Sequence, residues 1–292
     1  PSIDWVNLQI GFEYDTQKNA ERQNAEMAAY NTLQEYSKFF DVRILEERLG
    51  SMHALCSEKV DFLINTYMLP EPEKLQLQTQ GLFRKSAKVG KDPVRIMTWL
   101  LLAKQYAYSN TVETPYDEAR LHELIPKIST ILHENVNTIK RLEDTFAEYG
   151  ILFGVVHKVQ GASIDGYSFE YEGHPCIIVT KRYDRIDSLA FSVMHELGHV
   201  KNRDYDGFNV HIEDYDHLSL REKSANQFAA DSLIPDAEWN TVPEVRLNAP
   251  QIQRVCSAWA QRRGYNKWIV LGRLSYQTGM YKFKTDSSRN IS

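Results

Sequence analysis

The chain has 292 residues, 42% of them hydrophobic and 25% charged, with 14 Gly and 10 Pro. These values exclude collagen-like, low-complexity and mostly disordered chains and leave room for one large domain or two small ones. A formal net charge of −5 excludes a chain held to nucleic acid by bulk charge, and no apolar run approaches the roughly 20 residues that a membrane-spanning helix needs.

The N-terminal residues Pro1-Ser2-Ile3-Asp4-Trp5 show no basic stretch followed by an apolar one, so no secretory signal is expected. Thr16 to Phe40 holds no Gly or Pro and gathers Leu33, Tyr36, Phe39 and Phe40 near its end, which predicts a helix. Pro70 to Lys91, with its Gln-rich centre, receives no element. Asp92-Pro93 reads as an N-cap followed by Pro at the first helical position, opening a helix to about Tyr108. Thr114-Pro115 restarts the chain into a helix over about Asp117–Leu132, and another spans about Glu134–Glu148, with Gly150 suited to its end.

From Ile151 the character changes. Ile151 to Val156 suits a buried strand. Tyr167–Tyr171 and Cys176–Val179, joined through Glu172-Gly173, predict a hairpin. Asp187-Ser188 is expected to cap a helix over about Leu189–Lys201. Further helices are expected over Ser219–Leu233, Ala249–Arg263 and Asn266–Ser275, and the polar tail Tyr281–Ser292 is expected to fray. The order is α+β: mostly helical, with a small antiparallel sheet. The predicted division is a helical N-terminal region, 1–148, and a second domain, 149–292.

The chemistry is carried by His195-Glu196-Leu197-Gly198-His199, an H-E-x-x-H pattern. Residues four apart on a helix share one face, so both imidazoles can reach one metal ion. Two histidines plus one further ligand suit Zn²⁺ with a position left for water, whose pKa the ion lowers and whose proton Glu196 can take. Ala190, Val193, Leu197 and Val200 would turn the same helix towards the core. An extended motif with a third histidine fails, because Asn202 and Tyr205 stand where Gly and His would be. The helix with Glu222 and Asn226, four apart, offers a carboxylate for the metal and an amide for the outer nitrogen of a ligating histidine. Ala225 and Ala229 would let it approach closely.

These residues resemble the ImmA/IrrE family of gluzincin-like zinc peptidases. The likeness is carried by His195–His199, by Glu222–Ala230 ending in Leu233-Ile234-Pro235, by Pro175-Cys176-Ile177-Ile178-Val179, and by the tail Trp268-Ile269-Val270-Leu271-Gly272-Arg273-Leu274. Phe39-Phe40-Asp41-Val42, Phe83-Arg84-Lys85-Ser86 and Thr98-Trp99-Leu100 are similar to the helical region of longer members. The resemblance implies a zincin-like fold with His195, His199 and Glu222 as Zn²⁺ ligands and Glu196 as general base and acid. It also implies an endopeptidase that cuts a helix-turn-helix repressor and so induces stress or phage-defence genes. Such members usually carry an N-terminal helix-turn-helix, and none is visible before Asp41, so a separate repressor is the expected substrate. The competing reading is a non-proteolytic, antitoxin-like transcriptional regulator that uses the fold for binding.

His211, His217, Tyr205 and Tyr215 are candidates to hydrogen-bond the oxyanion, set against a plain reading as surface loop residues. His157 and His174 read as structural, and His53, His122 and His133 as solvated. Tyr167–Tyr171 is either a sheet edge that pairs with an extended substrate or a covered hairpin. Cys56, Cys176 and Cys256 are odd in number and widely spaced, which fits a reducing cytoplasm. Buried packing is expected for them, with a thiolate metal ligand as the alternative. Lys181-Arg182 and Arg262-Arg263 read as solvated faces, with a binding site for a nucleic-acid activator as the alternative.

Overall fold

The computed structural model describes residues 3–88, 90–181, 183–204, 220–243 and 248–292. It begins with helices α1 (Ile3–Tyr36), α2 (Val42–Arg48), α3 (Cys56–Tyr67), α4 (Pro72–Lys88) and α5 (Pro93–Tyr108). Then come α6 (Leu121–Glu134) and α7 (Thr138–Glu148), the strands β1 (Leu152–Val156), β2 (Gly166–Tyr171) and β3 (His174–Thr180), and α8 (Ile186–Asn202). The chain continues through α9 (Leu220–Leu233), α10 (Asp236–Trp239), α11 (Ala249–Arg263) and α12 (Lys267–Thr278). This is the α+β, mostly helical architecture expected. Among the described residues no helix is long and apolar enough to cross a membrane.

The sheet order is β1-β3-β2. Glu172 (φ 50°) and Gly173 (φ 80°) supply the two successive positive φ angles of a tight hairpin turn, so β2 and β3 pair antiparallel. The expectation of a purely antiparallel sheet is corrected at β1, which pairs parallel to β3 with Leu152 opposite Cys176. The reason is burial: β3 is the most apolar strand and is covered on both faces and both edges. Cys176 and Ile178 join Leu152, Tyr167 and Phe169 in one buried cluster with α1–α5, whereas Ile177 and Val179 join Phe153 in a second cluster with α6–α9, α11 and α12. Alternation along a strand thus sends successive side chains into two different cores. Gly154 is required because the Tyr106 ring occupies the place of a side chain there, 2.2 Å from where a Cβ would sit.

Several expectations are revised. The stretch from Pro70 to Lys91, left without an element, contains α4. Residues 42–69 hold α2 and α3. The break expected between the helices over Asp117–Leu132 and Glu134–Glu148 is present but shifted: α6 ends at Glu134, and Asn135 and Asn137 (φ 50° and 47°) separate it from α7. His133 is not solvated. Its Nε2 lies 2.8 Å from the Leu233 carbonyl and its Nδ1 accepts from the Asn266 N–H at 3.0 Å.

Asp187 does not cap α8, because the helix begins one residue earlier, at Ile186, with Arg185 at the cap position. Its buried carboxylate instead receives Arg185 and Arg289, each with a guanidinium nitrogen at 2.8 Å. The tail therefore does not fray. Arg289 pins it to α8, the Trp268 indole N–H donates to Ser288, and the Ser292 carbonyl accepts from the Thr138 N–H at 2.6 Å.

Burial alone would raise the Asp187 pKa, but the hydrogen bonds and charges of Arg289 and Arg185 outweigh it and hold it below the ordinary carboxylate value. A depressed folded pKa contributes stability that is present above the unfolded value, about 3.9, and is lost as pH falls through the folded one. Arg289→Ala is expected to cost about 1–3 kcal/mol near neutral pH, because it leaves a buried carboxylate half-satisfied. It should also shrink the loss of stability below about pH 4. Urea unfolding of both proteins across the acid range measures this.

Candidate metal centre

α8 and α9 are the most intimately packed helix pair next to the sheet. A Cβ on Gly198 would lie 3.2 Å from the Ala225 Cα and 3.0 Å from the Phe228 ring, so small residues set the closeness of the crossing. This brings the buried faces of the two helices together at His195, His199 and Glu222, all under 10% exposed. The Nε2 atoms of His195 and His199 are 3.0 Å apart. Glu222 Oε2 lies 3.1 Å from His195 Nε2, and Glu222 Oε1 lies 3.4 Å from His199 Nε2. One ligand atom from each residue falls within 4.8 Å of the others, the only such group among the described residues.

The other ring nitrogens fix which atoms face inward. His199 Nδ1 lies 2.7 Å from Asp204 Oδ1, a carboxylate that only accepts, so Nδ1 carries the proton and Nε2 presents its lone pair. His195 Nδ1 lies 2.9 Å from Asn226 Oδ1 and is oriented in the same way. Asn226 therefore stands where its spacing from Glu222 predicted. Two lone pairs and a carboxylate aimed at one point form a donor set that calls for a cation. The electrostatics agree. Burial disfavours charge on His199, yet its hydrogen bond with Glu222 and the charges of Glu196, Glu222 and Asp204 outweigh this and raise its pKa to about 9, so the site favours positive charge there and a metal ion displaces the Nε2 proton to take its lone pair.

Asp204 was missed in the sequence. It becomes a partner because Arg203 adopts a left-handed conformation (φ 51°) at the end of α8, turning the chain back so that the Asp204 N–H donates to the His199 carbonyl at 3.2 Å. A non-glycine residue gives no sign of that turn. Asp204→Ala is expected to weaken metal binding by about 10–100-fold, measured by competition with a chromogenic chelator.

Glu196 is buried beside this group, on the side of β2. A Cβ on Gly166 would come within 2.6 Å of Glu196 Oε1, so the first residue of β2 must lack a side chain for the carboxylate to sit there. β2 is an edge strand of the sheet, while Tyr167, Ser168 and Phe169 are buried between α5 and α8. On the far side of His195, a groove of about 980 Å³ opens along Phe191, Lys223, Asn226, Trp239, Ile269 and Tyr276. Phe191 stands between His195 and Tyr276, at ring separations of 6.0 and 6.3 Å.

The remaining candidates stand elsewhere. Cys176 lies on the sheet face turned to α1–α5, and burial pushes its thiol up to about 12. Cys256 is buried and likewise raised, and Cys56 is half-buried at the start of α3. The described metal-capable group contains no cysteine. His174 Nδ1 is 2.9 Å from the Gly150 carbonyl. His53 contacts Glu46, and His122 contacts the Ala119 carbonyl. His157 is exposed. Lys181 pairs with Asp184, and Arg263 pairs with Glu238. Tyr205, His211, Tyr215, His217 and Arg182 lie outside the described residues.

Two histidines one turn apart, a carboxylate from a second helix and a neighbouring glutamate define a site of the metallopeptidase class. The model of the IrrE N-terminal-like domain, Peptidase_M78, matches residues 153–261, which contain all four residues and the hairpin. Over these residues the chain is similar to the ImmA/IrrE family. No curated protein matches the chain.

Proposed function

We propose that the chain is a zinc-dependent endopeptidase of the cytoplasm that inactivates a helix-turn-helix repressor by cutting it. The observation that carries this reading is the convergence of His195, His199 and Glu222 with Glu196 buried alongside. His195, His199 and Glu222 would hold the ion. When bound, Zn²⁺ acidifies water and polarises a carbonyl. Asn226 and Asp204 keep the imidazole tautomers that offer Nε2. Glu196 would take the proton from the attacking water and deliver it to the leaving amine. Gly166 leaves that carboxylate its place, and the outer edge of β2 would pair with the extended substrate backbone. The groove beside Phe191 and Asn226 would take a neighbouring apolar side chain.

The test is co-expression with helix-turn-helix proteins encoded nearby. A cut that appears with the wild type and disappears with Glu196→Gln supports the reading. A repressor left whole under every inducing condition, or a cut that Glu196→Gln leaves unchanged, overturns it. A partner or operator bound equally well by both forms would favour the non-proteolytic regulator, but a purely binding site gives Glu196 no task.

A further inference from the structure

α1 is 34 residues long, about 51 Å at the usual rise per residue. Only its C-terminal part is anchored: Glu26 accepts from the Cys56 and Ser57 N–H groups at the start of α3, and the Tyr36 hydroxyl donates to the Pro70 carbonyl. Every side chain from Trp5 to Ala25 is exposed. Helices draw most of their stability from packing an apolar face, and over those residues no face of this arm is buried.

The arm is not polar. At helical spacing, Trp5, Leu8 and Phe12 fall on one side, and Met27 and Tyr30 return to the same side five turns on. They are 61%, 73%, 72%, 62% and 49% exposed. At the anchored end, Met27 and Tyr30 line a groove of about 970 Å³ together with Arg22, Gln23, Leu55 and Ser57. One helix thus carries an apolar tip at one end and an apolar groove at the other, separated on this side by Thr16, Asn19 and Gln23.

We infer that two copies of the chain pair through α1, antiparallel about a two-fold axis, with the tip of each arm seated in the basal groove of the other. The register follows from the residues. Trp5 faces Tyr30, Leu8 faces Met27 and Phe12 faces Gln23, and all three pairs share one centre, between Gln17 and Lys18. The same centre brings Arg22 of each arm nearly level with Asp15 of the other on the same flank, so the arms meet with opposite charge at two symmetric places. Covering these five side chains on both copies removes on the order of 1,200 Å² of surface, within reach of a specific interface. Val6, Ile10 and Tyr14 lie on another side of the helix and stay outside the pairing.

Sedimentation of the full chain tests this. Wild type should be a dimer at tens of micromolar. Leu8→Asp and Phe12→Asp should each raise the dissociation constant by about tenfold or more, and Ile10→Asp by less than about threefold. Asp15→Arg and Arg22→Asp should each weaken the dimer, and the two together should restore it. Circular dichroism confirms that each variant keeps its fold, since all these residues are exposed. A wild-type monomer throughout this range would overturn the inference. So would a dimer indifferent to Leu8→Asp, or a double charge swap no tighter than the single ones.

Discussion

Glu196→Gln is expected to lower peptide cleavage by about a thousandfold or more while leaving metal content unchanged. Glutamine keeps the size of the side chain but cannot accept and return a proton. The surroundings make this a clean substitution. Glu196 is not one of the three residues whose atoms converge, and the room that Gly166 leaves its carboxylate fits an amide of equal size as well. Single-turnover assays with equal metal loading would separate the chemical step from binding. A variant that cut as fast as the wild type would assign the proton transfer to another group.

Glu222→Ala should have the next largest effect, and on binding rather than chemistry. It removes the only anionic member of the converging group. It also leaves two Nε2 lone pairs 3.0 Å apart with no negative charge between them and a cation. Metal affinity should fall roughly a hundredfold or more. Glu222→Gln, which preserves packing between α8 and α9 but not the charge, should fall in the same direction. Because Ala225, Ala229 and Leu233 still hold α9 in the core, the loss should appear in metal titrations without loss of helix content.

Much of this was legible in the sequence, for identifiable reasons. Asp92 and Pro93 fix the start of α5, and Glu172-Gly173 fixes the hairpin, because few residue types suit those backbone angles. Spacing of four placed His195 with His199 and Glu222 with Asn226 on their shared faces. The rest was hidden by long-range pairing. α4 buries Leu75, Thr79, Leu82 and Ser86 on one face, but two of the four are polar, so its stripe does not read as apolar. Thr79 satisfies its hydroxyl on the Leu75 carbonyl. The tail looks like a solvated end because its polar side chains reveal nothing of Asp187 and Asn135, the partners that hold it. The parallel pairing of β1 is decided by β3's need for a second neighbour, which no local pattern in β1 records. Asp204 depends on a left-handed turn at an arginine.

The central claim is that His195, His199 and Glu222 jointly bind one metal ion. Elemental analysis after metal loading and exhaustive dialysis tests it most directly, with wild type beside His195→Ala. One divalent transition-metal ion per wild-type chain, and almost none in the variant, is the predicted result. A folded wild-type protein that retains no metal, or a variant that holds as much as the wild type, would contradict it.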